Sequence, residues 1–175
     1  IESIKSNGYA VLNADDPLVV QAAKRTRSNV IYFSRQEDNV MIRKHLTEGG
    51  IAVFLKGDYI TISTGDTFLQ VVDINQVPAT YSGRLSYNVE NSLAAVAASY
   101  ALKVPISIIE KGLKSFYTDE LQNPGRFNVF NIRDFRVVVD YGHNIAGYKA
   151  IIHALQHMGA SRLIGIIGVP GDRDN

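Results

Sequence analysis

Residues 137–144 read VVVDYGHN, and this stretch decides the fold class. Three β-branched residues predict a buried strand, and the spacing of the apolar residues that follow predicts a helix directly after it. A strand that meets a helix through polar residues is typical of open α/β sheets, in which ligands bind at the carboxyl ends of the strands. Asp140, His143 and Asn144 are therefore candidate ligand-binding residues. On this pattern alone, Asp140 and Asn144 could equally well cap the helix.

Strands and helices alternate elsewhere in the chain as well. GYAVLN (8–13) predicts a short strand, after which Asp16 is available as the N-cap of a helix that begins at Pro17. Residues 49–74 predict a β-meander with turns at the two Gly-Asp pairs. RLIGIIGV (162–169) predicts a further buried strand. The fold class is therefore α/β, with antiparallel strands added to the first part of the chain.

A domain boundary is predicted near residues 121–125. YTDELQNPGR (117–126) contains Asn, Pro and Gly together and has no apolar periodicity, which favours a linker. Beyond it, FNVFNI and FRVVVD predict a hairpin that turns at Arg133 and Asp134. We therefore expect one domain in residues 1–121 and a second in residues 122–175.

The composition excludes several classes of protein. Hydrophobic residues make up 46% of the chain and charged residues 20%, and the formal net charge of +1 gives no reason to expect nucleic acid or an anionic membrane as a partner. No cysteine is present, which excludes a disulfide framework and fits a cytoplasmic setting. No apolar run approaches the roughly 18 residues of a membrane span. The chain lacks an initiator methionine and stops after a strand-like run, so we expect an excised fragment.

Four further polar clusters each allow two interpretations. In NADDP, Asp15 and Asp16 could serve a metal or a substrate amine, although a capped helix start is favoured. In YNVENSLAA, Asn88 and Asn91 share one helix face and could contact an adenine or a ribose, or solvent alone. Arg126 in NPGRF could reach across an interdomain cleft or lie on the surface, and GDRD (171–174) offers an arginine to a phosphate or carboxylate.

Taken together and in this order, NADDP, YNVENSLAA, NPGRF, DYGHN and GDRD resemble the Mur-type ATP-dependent ligases. More narrowly, DYGHN and GVPGDRD resemble the carboxyl-terminal ligase half of the cyanophycin synthetases. Peptidoglycan ligases more often carry alanine in place of Gly142 and glycine in place of Pro170. The resemblance covers nearly the whole chain.

The resemblance implies a domain organisation and a reaction. Residues 1–121 would be the later part of a central ATPase domain of the Rossmann-like, P-loop type, and residues 122–175 the first part of a Rossmann-like carboxyl-terminal domain. ATP would phosphorylate a carboxylate, and an amine would attack the acyl phosphate to form an amide. In the cyanophycin synthetases the amine is that of arginine, and the carboxylate is an aspartate side chain of a poly-aspartate primer. The alternatives are a peptidoglycan-precursor or folylpolyglutamate-type ligase, or a non-catalytic module for nucleotide binding or assembly.

The resemblance also implies roles for individual residues. Asn88 and Asn91 would lie by the adenine, and Asp140 would hold the ribose. The two catalytic candidates are Arg126, which would close onto the phosphates, and His143. His143 and Asn144 would help to fix the nucleotide or the substrate. The loop that contains Asp172 and Arg173 would lie near the incoming amino acid.

The sequence departs from this family in important respects. No G-x-x-x-x-G-K-[ST] loop occurs among the 175 residues. In the family this loop and the carboxylates for Mg²⁺ lie upstream, so no metal ligand is predicted in this chain, and the chain alone is expected to be inactive. Tyr87 stands where many relatives have histidine. Unpaired strand edges in the second part predict a homo-oligomer.

Overall fold

The structure is a computed structural model, and it describes residues 1–168. The helices and strands in chain order are β1 Tyr9–Asn13, α1 Pro17–Ala22, β2 Asn29–Ser34, α2 Val40–Thr47, β3 Ile51–Lys56, β4 Tyr59–Thr64, β5 Thr67–Asp73, α3 Ser86–Ala101, α4 Ile106–Ser115, β6 Asn128–Ile132, β7 Phe135–Val139 and α5 Ile145–His157. One 3₁₀ turn follows α1, and two 3₁₀ turns follow β5. The predicted α/β class is confirmed.

The first five strands form one mixed sheet in the order β1-β2-β3-β4-β5. The β1–β2 and β2–β3 pairs are parallel, and the β3–β4 and β4–β5 pairs are antiparallel. The predicted meander is therefore confirmed as β3 to β5. Gly57 and Gly65 begin its two turns with φ of +58° and +62°, a region that glycine enters without a steric penalty.

Side chains alternate between the two faces of the parallel strands, and each face has its own hydrophobic core. On β2, Ile31 and Phe33 belong to the core beneath α3 and α4, and Tyr32 belongs to the core beneath α1 and α2. On β3, Val53 lies in the former core and Ala52 and Phe54 in the latter. Burial on both faces is what a parallel sheet between helices requires, and it explains the nearly continuous apolar sequence of these strands.

The second part of the chain is smaller and packs against the start of α3. β6 and β7 form the predicted antiparallel hairpin. A third core is built from Leu85, which precedes α3, Phe127, which precedes β6, and Ala154 of α5. Ile151, Leu155 and Met158 pack against this core, as their helical spacing predicts.

The prediction of a strand at residues 162–169 is wrong for residues 162–168, the part of this segment that the structure describes. Residues 162–168 form neither strand nor helix, and Ile166 is fully exposed (100%). A buried strand needs a neighbour for its backbone N–H and C=O groups, and among residues 1–168 the strands β6 and β7 pair only with each other. The hydroxyl of Tyr148 in α5 does donate a hydrogen bond to the carbonyl of Gly168 (2.9 Å).

Within the described part of the chain, no helix has both the length and the apolar character that crossing a membrane would require.

Candidate functional site

A cleft of about 430 Å³ lies between the first turns of α3 and the loop that follows β7. The structure brings together six of the residues predicted for the site, which lie far apart in sequence. All of them line this cleft: Asn88, Asn91, Arg126, Asp140, His143 and Asn144. A volume of this size is typical of pockets for small ligands.

The start of α3 supplies the two asparagines. Asn88 is buried, and its Nδ2 donates a hydrogen bond to the carbonyl of Ala79 (2.7 Å). Asn91 is exposed, and its Nδ2 donates to Asn88 Oδ1 (3.3 Å). Asn88 is thus held in place by the protein, and Asn91 is the amide that a ligand in the cleft reaches first.

Asp140 follows β7 and accepts two hydrogen bonds on a single oxygen. Its Oδ2 accepts from the backbone N–H of Phe127 (2.9 Å) and from the hydroxyl of Tyr87 (3.4 Å). Asp140 therefore does not cap α5. The cap is Asn144, whose Oδ1 accepts from the N–H of Gly147 (2.8 Å). Of the two capping residues considered from the sequence, only Asn144 takes that role.

The contact with Asp140 depends on an unusual backbone conformation at Phe127. Its φ of +51° places a bulky aromatic residue in the left-handed region, which costs roughly 1–3 kcal/mol. The side chain is fully buried, and its ring packs edge-on against Tyr81 with ring centroids 5.3 Å apart. Burial of this ring offsets the strain, and the strained backbone directs the amide of Phe127 at the carboxylate.

Arg126 is positioned by the loop before β6. The buried side chain of Asn128 closes this loop, because its Oδ1 accepts from the N–H of Gly125 (2.6 Å) and its Nδ2 donates to the carbonyl of Asn123 (3.0 Å). Gly125 has a φ of +74°, which suits glycine. The guanidinium of Arg126 is exposed and lies 5.6 Å from the ring centroid of Tyr141, a cation–π geometry.

His143 presents one ring nitrogen for chemistry. Its Nδ1 lies 3.2 Å from the carbonyl oxygen of Tyr141. Because a carbonyl can only accept a hydrogen bond, Nδ1 carries the proton, and in the neutral ring the lone pair is then on Nε2. Nε2 can therefore accept a proton or a hydrogen bond.

Tyr87 also lines the cleft, and no role for this residue is predicted from the sequence. Burial raises the pKa of the Tyr87 phenol, and the nearby Asp140 carboxylate raises it further, so the hydroxyl stays protonated and acts as a donor. Tyr141 and Asn123 also line the cleft. Tyr141 and Asn123 lie inside quoted motifs, but no local pattern links Tyr87 to an aspartate 53 residues away.

The NADDP segment forms a turn and a helix start. Asp16 caps α1 by accepting from the N–H groups of Leu18 (2.8 Å) and Val19 (3.3 Å), so the favoured interpretation of this residue is confirmed. Asp15 accepts three hydrogen bonds from the end of β2 and the loop that follows it, from Ser34 Oγ (2.6 Å), Arg35 N (3.0 Å) and Asn39 Nδ2 (2.9 Å). In the part of the chain that the structure covers, no three or more His, Cys, Asp or Glu side chains are grouped to hold a metal.

The predicted substrate residues Asp172 and Arg173 lie outside the described residues.

Comparison with known proteins gives two family matches. Residues 1–99 match the Mur ligase middle domain, and residues 125–175 match the glutamate ligase domain of Mur ligases. The chain is 38% identical over 172 residues to a cyanophycin synthetase of Trichormus variabilis (strain ATCC 29413 / PCC 7937), which covers 98% of the chain and 19% of that protein.

Two further relatives extend the comparison. A cyanophycin synthetase of Geminocystis herdmanii (strain PCC 6308) is 40% identical, over 98% of the chain and 20% of the relative. A UDP-N-acetylmuramoyl-L-alanyl-D-glutamate–2,6-diaminopimelate ligase of Alkaliphilus metalliredigens (strain QYMF) is 30% identical, over 94% of the chain and 31% of the relative.

Proposed function

The chain belongs to the Mur ligase family, and from this premise we propose that it is part of an ATP-dependent ligase of the cyanophycin synthetase type. The family predicted from the five motifs is thereby confirmed. The chain spans about a fifth of the length of the cyanophycin synthetases that it matches (19% and 20%). The activity proposed is therefore that of a whole ligase that contains this chain.

The proposed reaction joins arginine to the side-chain carboxyl group of aspartate in a poly-aspartate primer. ATP transfers its γ-phosphoryl group to the carboxylate, the arginine amine attacks the acyl phosphate, and an amide, ADP and phosphate result. The five cyanophycin synthetase matches at 38–40% identity support this choice of substrate. A diaminopimelate-adding ligase is the second candidate, because relatives of that kind match at 28–30% identity.

In this proposal the cleft binds ATP, and the convergence of the six cleft residues is the observation that carries it. A carboxylate suits the ribose hydroxyls, an amide at the start of α3 suits the adenine, and a guanidinium suits the phosphates. We assign these roles to Asp140, to Asn88 with Asn91, and to Arg126. Asn144 and Nε2 of His143 help to fix the nucleotide, and His143 is a candidate to take a proton near the phosphates.

Arg126 is proposed to move from the Tyr141 ring onto the phosphates when the two parts of the chain close over the nucleotide. The Arg126 guanidinium is exposed, and its contact with the Tyr141 ring is a cation–π interaction worth roughly 0.5–1 kcal/mol at such a site. Closure would exclude water from the acyl phosphate. Mg²⁺, when bound, would neutralise charge on the phosphates, and we propose that residues outside this chain hold it.

We further propose that residues 1–121 are the later part of the central domain and residues 122–175 the first part of the carboxyl-terminal domain, with Asp172 and Arg173 near the incoming amino acid. A cytoplasmic location and a homo-oligomer are also proposed. The exposed side chains of Ile164, Ile166 and Ile167 support association between copies. A light-scattering mass that equals one polypeptide at every concentration would contradict the oligomer.

The decisive experiment measures ATP-dependent incorporation of labelled arginine into an aspartate-polymer primer by the full-length protein. We expect incorporation by the wild type, and at least a 10-fold rise in the KM for ATP in Asp140→Ala. Asp134→Ala is the matched control, because this carboxylate is exposed at the turn of the β6–β7 hairpin. Incorporation of diaminopimelate instead of arginine would favour the second candidate. If the full-length protein turns over no ATP with any amino acid, the ligase proposal is overturned.

A further inference from the structure

We infer that Tyr87 is a positioning residue that makes the cleft selective for ribonucleotides, because it holds Asp140 with one carboxylate oxygen turned to the ribose. This inference rests on the proposed function, and it names the class of nucleotide that the site accepts. Tyr87 itself is not proposed to take part in the chemistry.

The two carboxylate oxygens of Asp140 have different surroundings. Both of its donors, the N–H of Phe127 and the hydroxyl of Tyr87, contact Oδ2. Within residues 1–168, Oδ1 accepts no hydrogen bond from the protein. A carboxylate oxygen accepts two hydrogen bonds readily, so Oδ2 is satisfied and Oδ1 is left for a ligand.

Gly142 keeps the space beside Oδ1 open. A Cβ built on this residue would lie 3.4 Å from Asp140 Oδ1 and 2.9 Å from Ile151 Cδ1. A Cβ at position 142 would therefore fill the space next to Oδ1 at van der Waals distance, and the end of the Ile151 side chain would have to shift to admit it. Gly142 lines the same cleft as Asp140.

The surroundings of Tyr87 fix which group donates. Its ring packs against the core built from Leu85, Phe127 and Ala154, so the hydroxyl is carried to Asp140 by buried contacts. The phenol is protonated at neutral pH, and it faces a carboxylate that can only accept. Removal of this hydroxyl leaves Oδ2 with one donor, and the carboxylate can then rotate about its Cβ–Cγ bond. After this rotation Oδ1 no longer points towards the ribose.

Two variants of the full-length enzyme test this role. Tyr87→Phe removes the hydroxyl and keeps the ring, and Tyr87→His keeps a donor. The KM for ATP and for 2′,3′-dideoxy-ATP is measured with saturating amino acid and primer. In Tyr87→Phe we expect the KM for ATP to rise about 5-fold, the typical effect of losing one hydrogen bond, because Oδ1 remains present and loses only its fixed orientation. Its kcat and its KM for the dideoxy nucleotide stay unchanged, because that nucleotide lacks the hydroxyls that Oδ1 contacts.

The result that overturns the inference is an equal change in KM for both nucleotides, or no change for either. An equal change would mean that Tyr87 only supports the structure. Tyr87→His should retain at least half of the wild-type ratio of the KM for 2′,3′-dideoxy-ATP to the KM for ATP. If the phenylalanine variant does not fold, this ratio in Tyr87→His tests the inference. A wild-type enzyme that turns over no ATP fails the proposed function itself, which separates that failure from a failure of the Tyr87 role.

Discussion

At the scale of single residues, Gly142 lies so close to α5 that a Cβ at this position would contact its side chains. Its φ is not in the left-handed region, so the need for glycine comes from space and not from backbone conformation. A Cβ there would lie 2.9 Å from Ile151 Cδ1 and 3.5 Å from Tyr148 Cδ1. The absence of a side chain at position 142 therefore lets the loop after β7 approach α5 without displacing the end of the Ile151 side chain.

Gly142→Ala is expected to lower the free energy of unfolding by about 1 kcal/mol, the low end of the cost of overpacking, because the atom that the new Cβ meets is the end of a flexible side chain. Ile151→Val removes the Cδ1 atom that the new Cβ would meet, at a cost of its own of about 1 kcal/mol. In the double variant the two costs should not add, because the clash is gone. Urea unfolding of the four proteins measures the coupling. Strictly additive costs would show that Ile151 is not the residue that excludes a side chain at position 142.

Glu90 provides a pH dependence that can be assigned to one carboxyl group. It forms an ion pair with Arg35 (3.0 Å). Burial raises the pKa of Glu90, Arg35 opposes this, and Asp15 adds to it, so that the pKa in the folded protein lies above the ordinary value of 4.5. Above pH 4.5 the folded state therefore binds more protons at this group than the unfolded state does, and stability decreases as the pH rises through the raised pKa.

Glu90→Gln should remove this contribution. Above pH 4.5 we expect the free energy of unfolding of the wild type to contain a decrease with rising pH that is absent in the glutamine variant. Urea unfolding at steps of half a pH unit measures both proteins. The free energy of unfolding of the wild type, relative to that of Glu90→Gln, should decrease as the pH rises. A difference that is constant across the series would contradict the assignment to Glu90.

At the scale of elements, the end of α3 contains a residue that is poorly suited to its conformation. The N–H of Lys103 donates to the carbonyl of Tyr100 (2.9 Å), and the N–H of Val104 donates to that of Ser99 (3.0 Å). These bonds terminate the helix in a way that places Lys103 at a φ of +59°. Glycine is the usual residue at such a position, because other residues pay a steric cost there.

Lys103→Gly is therefore expected to raise the free energy of unfolding by about 1 kcal/mol, the net of the relieved strain and the greater freedom of glycine in the unfolded chain. Lys103 is exposed, so loss of its side chain costs little packing. Lys103→Ala is the matched control, since it removes the same charge and keeps the Cβ. Equal thermal stability of the glycine and alanine variants would show that backbone conformation is not the cause.

At the scale of the whole molecule, one small core joins the sheet-bearing part to the hairpin and α5. Leu85 and Phe127 in this core are fully buried, and Phe127 also aims its backbone at Asp140. The cleft lies beside this core, so the same contacts that hold the two parts together also set the distance between α3 and the loop after β7.

Phe127→Ala should loosen the second part without unfolding the first. We expect amide hydrogens of residues 128–157 to lose about 3 kcal/mol of protection, the lower end of the cost of a buried Phe-to-Ala change, and those of β2 and β3 to keep theirs. Hydrogen exchange followed by mass spectrometry gives both values in one experiment. Phe68→Ala is the control, because Phe68 is 50% exposed on β5. Uniform loss of protection along the chain would mean that the molecule unfolds as one cooperative unit.

The sequence by itself determined the local features of this protein. The α/β alternation, the meander turns at Gly57 and Gly65, and the cap at Asp16 each depend on residues a few positions apart, and each was predicted correctly. Six of the candidate residues that the motifs pointed to are among those that line the cleft. The segment at 162–168 was predicted as a strand because its apolar residues suit one, but a strand also needs a neighbour to pair with.

Only the tertiary structure decided how the cleft residues are used. Tyr87 meets Asp140, Phe127 turns its amide to the same carboxylate, and Gly142 leaves room beside Ile151, although these residues belong to different elements. The physical reason is the range of the interactions involved. Turns and caps are local hydrogen bonds that a short stretch of chain satisfies alone, whereas the contacts of Asp140 exist only after burial of Leu85 and Phe127 has brought distant segments together.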